Sequence, residues 1–225
     1  ESARLMSAGA DYLSAAERYA EAVALTPEVS PDRWTYLMRR GEAYFFEAQR
    51  NSDPEIMQQA IVAYEGALIA QPRETNPIAW GIVMNAIAVA LEHKARYGAP
   101  EALERAVEVY RASLLVRTRE ADPENWALTQ TNLGRALRQI GNRRVPPDLE
   151  PAAAALEAAL SARSRESAPY MWAFTAQELA ITYRDMGRFA EARALSERAR
   201  DAYAETGDTY WPGAVQHFLD ALPRY

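Results

Sequence analysis

Five tryptophans stand along this chain at nearly constant intervals: Trp34, Trp80, Trp126, Trp172 and Trp211. The first three intervals are 46 residues each and the last is 39. The first four close one recurring frame of Glu, two residues, Pro, two residues, Trp: Glu28-Pro31-Trp34, Glu74-Pro77-Trp80, Glu120-Pro123-Trp126 and Glu166-Pro169-Trp172. A period of this kind marks one supersecondary unit copied and stacked. Such a chain grows by adding layers, so its 225 residues need not enclose one large core.

Each proline of the frame stands where a helix can begin, since the first helical position needs no amide donor. Ser30, Asn76 and Asp122 precede three of them and are suited to N-capping; Ala168 precedes the fourth and is not. The sequence therefore predicts first helices over about 31–49, 77–97, 123–140 and 169–186, with Trp one turn in. Breaker-rich turns follow at 51–54, 97–100, 141–147 and 187–188, and Pro54 and Pro100 read as first helical positions. The second helices carry a four-and-three spacing that defines one face. Its residues are Ala60, Tyr64 and Ala67, then Ala106, Tyr110 and Ser113, then Ala152, Leu156 and Ala159, then Ala192, Ser196 and Ala199. A shorter turn in the fourth unit accounts for most of the drop from 46 to 39. A helix over 3–26 precedes the first frame, and Trp211-Pro212 opens a short capping helix. Ten helices and no strand are expected.

The net charge is −6 with an isoelectric point near 5.2. Phosphate contacts dominate nucleic-acid affinity, so no nucleic-acid partner is expected. The absence of cysteine excludes disulfides, thiolate metal sites and cysteine nucleophiles, and it fits a cytoplasmic setting. No apolar run reaches the roughly 20 residues of a membrane span, so no membrane insertion is expected. His93 and His217 are read as packing or surface residues, with no His-x-x-x-His pair and no phosphate loop. Arg73-Glu74, Arg119-Glu120 and Arg165-Glu166 recur just before helix starts and are read as helix-dipole and inter-repeat charge pairs. The tryptophans are read as packing between layers rather than as a stacking ladder for ligands. No catalytic residues, metal ligands or cofactor are expected.

The residues resemble the tetratricopeptide repeat, a helix–turn–helix unit. The resemblance is carried by Leu179-Ala180-x-x-Tyr183, Gly187-Arg188-Phe189-Ala190-Glu191-Ala192 and Ala199, and by Leu133-Gly134-x-x-Leu137. The run Trp126 to Gly134 looks like the long-period bacterial form related to kinesin-light-chain-type repeats. Ile87-Ala88 replaces Leu-Gly in the second unit, and Gly41 stands one position out of register in the first. The main competing architecture is a HEAT-type solenoid. The resemblance implies an all-α right-handed solenoid of stacked antiparallel helix pairs, one domain over 1–225. Its parts are a leading helix 3–26, repeats about 31–72, 77–119, 123–165 and 169–206, and a capping helix 210–222.

In that family the first helices line a concave groove, and the resemblance places solvent-facing contact positions at Tyr36, Arg39, Asn85, Val89, Thr131, Asn132, Arg135, Arg138, Gln177 and Arg184. Arg40, His93, Glu178 and Ile181 share that register. Asn132 stands where related repeats hydrogen-bond an extended peptide, a task suited to an amide that both donates and accepts. Arg135, Arg138 and Arg184 make an acidic peptide the expected guest of the C-terminal half. The implied function is a non-enzymatic scaffold holding a protein or peptide partner. The alternatives are a sensor or regulatory arm of a larger bacterial effector, and a self-assembling structural subunit or part of a larger complex.

Overall fold

The computed structural model describes residues 11–28 and 30–223. Among them are ten helices and no strand: α1 (Tyr12–Leu25), α2 (Pro31–Asn51), α3 (Pro54–Ala70), α4 (Pro77–Arg96), α5 (Ala102–Ser113), α6 (Pro123–Gly141), α7 (Glu150–Ser161), α8 (Pro169–Asp185), α9 (Phe189–Glu205) and α10 (Trp211–Ala221). The start of the expected leading helix, 3–10, lies outside the described residues. The chain forms two compact units that part between Val116 and Arg117. In the N-terminal unit α1 packs on α2, α2 on α3, α3 on α4 and α4 on α5. In the C-terminal unit α6 packs on α7, α7 on α8, α8 on α9 and α9 on α10. No described helix is long and apolar enough to cross a membrane.

The helix starts follow the caps. Ser30, Asn76 and Asp122 each accept a backbone N–H with the side chain, from Asp32 at 3.3 Å, Ala79 at 3.0 Å and Asn125 at 3.4 Å. Ala168 makes no side-chain cap. Asp53 caps α3 through Glu55 and Ile56, with Pro54 just inside. Pro100 does not begin a helix: α5 starts at Ala102. Ala102 N–H reaches Ala99 O at 2.9 Å and Leu103 N–H reaches Pro100 O at 3.3 Å, so two tight i to i+3 turns precede the α-helix. The turn between α6 and α7 holds residues 142–149, whereas that between α8 and α9 holds only 186–188. That difference shortens the last tryptophan interval.

The four-and-three face of the second helices is buried throughout. Its twelve residues, from Ala60 to Ala199, are all at most 3 % exposed. In the first and third repeats the first helix meets the large member of that face with glycine. A Cβ on Gly41 would stand 2.3 Å from the Tyr64 ring, and one on Gly134 would stand 2.5 Å from Leu156 Cγ. In the C-terminal unit Trp172 joins Ala153 and Leu156 of α7 to Ala173, Ala176 and Leu179 of α8. This tryptophan packs between layers, as the sequence predicts.

Candidate functional site

The N-terminal unit gathers three of the expected contact residues around one depression of about 320 Å³. Arg39 comes from α2, and Asn85 and Val89 come from one face of α4. Phe45, Phe46, Tyr64 and Ala86 supply the rest of its apolar lining, and Glu42 adds a carboxylate. Arg39 Nη1 holds Glu42 Oε2 at 2.7 Å, with both side chains substantially exposed. The aromatic wall is itself held in place. Phe46 packs on Tyr12 and Phe45, and Phe45 meets the His93 ring edge-on at 5.1 Å. His93 is a packing residue, bonded to Tyr97 Oη at 3.2 Å. Burial drives the Tyr64 hydroxyl far above its ordinary range, and Glu42 adds to the effect, so it stays a neutral donor. The site offers an aromatic floor and a few convergent polar groups, as binding depressions do.

Tyr36 is half-buried on α2 and is not part of this lining. The C-terminal unit treats its expected contact residues differently. Thr131 and Asn132 do not face solvent: Thr131 is fully buried and Asn132 is 7 % exposed. The Thr131 hydroxyl donates to Ala127 O at 2.8 Å and lies 3.1 Å from Thr175 Oγ1. The reason is a buried arginine that periodicity did not single out. Arg163 Nη1 bonds Thr131 Oγ1 at 3.4 Å, Met171 O at 3.3 Å and Thr175 Oγ1. One period earlier Arg117 bonds Thr129 at 3.2 Å in the same manner. Burial pulls both guanidinium groups below their ordinary value, with Asp122 and Glu124 opposing the shift. These threonines and arginines make a polar layer inside the stack.

The remaining arginines carry their own acids. Arg138 reaches Glu178 at 3.2 Å and Asp185 at 3.4 Å. Arg135 stands 3.9 Å from Glu178, and Arg184 holds Asp185 at 2.6 Å. Burial alone would raise the Asp185 carboxyl; the bonds from Asn142 and Arg184 and the nearby arginine charges outweigh it and hold its pKa below the ordinary aspartate range. The positive stripe expected to draw an acidic peptide is thus matched by Glu178 and Asp185. Gln177, half-buried on α8, has its amide oxygen buried and unbonded.

The recurring arginine of the Arg-Glu pairs has a role beyond charge pairing. Arg73, Arg119 and Arg165 lie over the rings of Trp80, Trp126 and Trp172 at 5.6, 5.8 and 5.8 Å. This is cation–π geometry. Two of them also reach the next second helix, Arg119 to Ser161 O at 3.0 Å and Arg165 to Glu205 at 2.6 Å. The seven-residue spacing of Arg and Trp was a visible signal for this contact. A second depression, of about 540 Å³, lies between α7, α8 and α9, and none of the expected contact residues lines it. Among the described residues no cluster of three His, Asp or Glu is placed to hold a metal ion.

Residues 175–206 match the tetratricopeptide repeat family. A search of curated proteins finds no match. Two solved structures share the fold. One, from Podosopora anserina, is described as a kinesin light chain with nearly identical TPR-like repeats. It is 21 % identical, with a TM-score of 0.62 over 87 % of this chain and 88 % of that one. The other is BtubC (BKLC) from P. vanneervenii, 14 % identical, with a TM-score of 0.56 over 96 % and 92 %. The match falls on the repeat whose motif is most complete, Leu179 to Ala199, and the surrounding helix pairs follow the same plan. The fold is an α-solenoid of stacked helix hairpins like those of these two structures, and residues 175–206 match the tetratricopeptide repeat.

Proposed function

We propose that this protein is a non-enzymatic interaction module that holds a segment of a partner protein, with its principal contact at the depression between α2, α3 and α4. Tetratricopeptide arrays are generally protein–protein interaction scaffolds, and the observation that carries the finer reading is the convergence of Arg39, Asn85 and Val89 on one aromatic-lined depression. An apolar side chain of the guest fits against Phe45, Phe46 and Tyr64. Asn85 and the Arg39–Glu42 pair meet its polar backbone and neighbours. The two units acting as one repeat domain over 1–225 are part of this proposal. An acidic guest is not, because Arg135, Arg138 and Arg184 stand against the protein's own carboxylates.

The test compares partner capture from native extract by the wild type and by Asn85→Ala and Val89→Glu. Both substitutions fall on half-buried positions. Partner proteins retained by the wild type and lost by both variants, at unchanged melting temperature, support the reading. Equal retention by all three removes the depression from binding.

A second reading, self-association, is favoured by exposed apolar side chains at the ends of second helices in the N-terminal unit. Ile69 near the end of α3 is 81 % exposed, Leu115 just after α5 is 64 % exposed, and Leu25, the last residue of α1, is similarly bare. Light scattering that reports a monomer at high concentration counts against it.

A further inference from the structure

We propose that the depression between α7, α8 and α9 is a second docking site, separate from the α2–α4 depression, for a protein segment that carries an apolar side chain between one basic and one acidic residue. The site lies between the second helices of adjacent repeats. Its volume of about 540 Å³ exceeds that of the N-terminal depression. Leu160, Trp172, Leu179 and Leu195 supply apolar lining from all three helices. That lining is continuous with the core cluster around Trp172, so its shape is set by packing rather than by loops.

The charges on the lining decide what kind of segment fits. Glu157, Glu191 and Arg198 line it, and one of the three is already neutralised from beside the site. Glu191 is taken by Arg188, which donates from Nε to Oε2 at 2.8 Å and from Nη2 to Oε1. The same guanidinium covers the Tyr183 ring at 4.0 Å. The other two, Glu157 and Arg198, have no oppositely charged group within ion-pair distance among the described residues. Glu157 accepts one hydrogen bond, from Tyr183 Oη at 2.8 Å. Arg198 rests over the Trp172 ring at 5.0 Å.

Tyr183 holds Glu157 as a fixed acceptor. Burial, followed by the bond to Glu157, pushes the tyrosine pKa up to about 12, so the phenol remains a donor at any physiological pH. One carboxylate and one guanidinium are therefore left facing the same apolar depression. A wholly apolar guest would leave both unmatched. A guest of one sign would meet one of them as a like charge. An apolar residue flanked by one cation and one anion satisfies both at once.

The experiment titrates the isotope-labelled full chain with capped eleven-residue peptides and follows backbone amide signals of Ser161, Ala194 and Leu195. The peptides are glycine-serine chains centred on Lys-Leu-Glu, Glu-Leu-Lys, Ser-Leu-Ser or Lys-Ala-Glu. Saturable shifts of these amides with one of the two charged leucine peptides, and weaker ones with the last two, are expected. Glu157→Gln and Arg198→Gln should each weaken that binding about two- to five-fold, the size of a solvent-exposed ion pair. Val89→Glu, in the other depression, should leave it unchanged. The proposal is overturned by no shift from either charged peptide. It is also overturned by equal binding of Ser-Leu-Ser, or by an affinity indifferent to both Glu157→Gln and Arg198→Gln.

Discussion

Gly41 has no room for a methyl group, because the Tyr64 ring fills the space where its Cβ would be. Gly41→Ala should therefore cost about 1–3 kcal/mol, the range for an overpacked core. Tyr64→Leu in the same chain should recover part of that loss, since a shorter side chain opens the site; urea unfolding of the single and double variants checks this. Arg163 is the second residue on which much depends. Arg163 is 5 % exposed, and its guanidinium serves two threonines and a backbone carbonyl. Arg163→Ala leaves a cavity and removes those bonds, and should cost about 2–4 kcal/mol in the same assay. Arg163→Met should cost less than half as much. The threonine hydroxyls keep their own-helix carbonyls at Ala127 and Met171, and the volume is nearly preserved.

At the scale of the element, helix starts follow directly from short motifs. Asp122→Ala should lower stability by about 1 kcal/mol, whereas Ala168→Asp should raise it by about 0.5–1 kcal/mol, as measured by thermal unfolding. The first-helix boundaries inferred from Pro and Trp lie within two residues of those observed. Such boundaries are local: a cap, a proline and a few backbone groups decide them. Pro100 shows where that logic stops, since Gly98 at φ +116° and two tight turns delay the helix to Ala102. The buried faces of the second helices were equally readable, because a face is a spacing. Which polar residues lie inside was not. Thr131 occupies the same register as the half-buried Asn85 and Gln177, yet Arg163 reaching in from the turn after α7 gives it a buried polar environment.

At the scale of the whole molecule, charge acts through networks rather than a net sum. Asp185 collects Asn142, Arg138 and Arg184, which hold its pKa below the ordinary aspartate range. A depressed carboxylate contributes fully above its unfolded value, and that contribution is lost as pH falls through the folded one. The wild type should therefore lose stability on acidification below about pH 4. Asp185→Asn should be less stable at neutral pH and show a shallower acid slope; melting temperatures between about pH 2 and 7 give the comparison.

The 46-residue period, by itself, determined that this chain is a stack of helix hairpins. It also determined where each first helix begins and which small residues the second helices bury. Those properties depend on neighbours in sequence or on a spacing along one helix, and duplication repeats them in plain view. The tertiary structure alone decided which polar side chains reach a surface and which are already spoken for. Arg39, Asn85 and Val89 share a depression whose aromatic lining, Phe45, Phe46 and Tyr64, comes from α2 and α3. Arg138 and Arg184 are answered by Glu178 and Asp185, whereas Glu157 and Arg198 form no ion pair among the described residues. Most of those outcomes rest on distances between side chains on different helices, such as Arg138 and Glu178, which the repeat makes possible but does not encode at any single position.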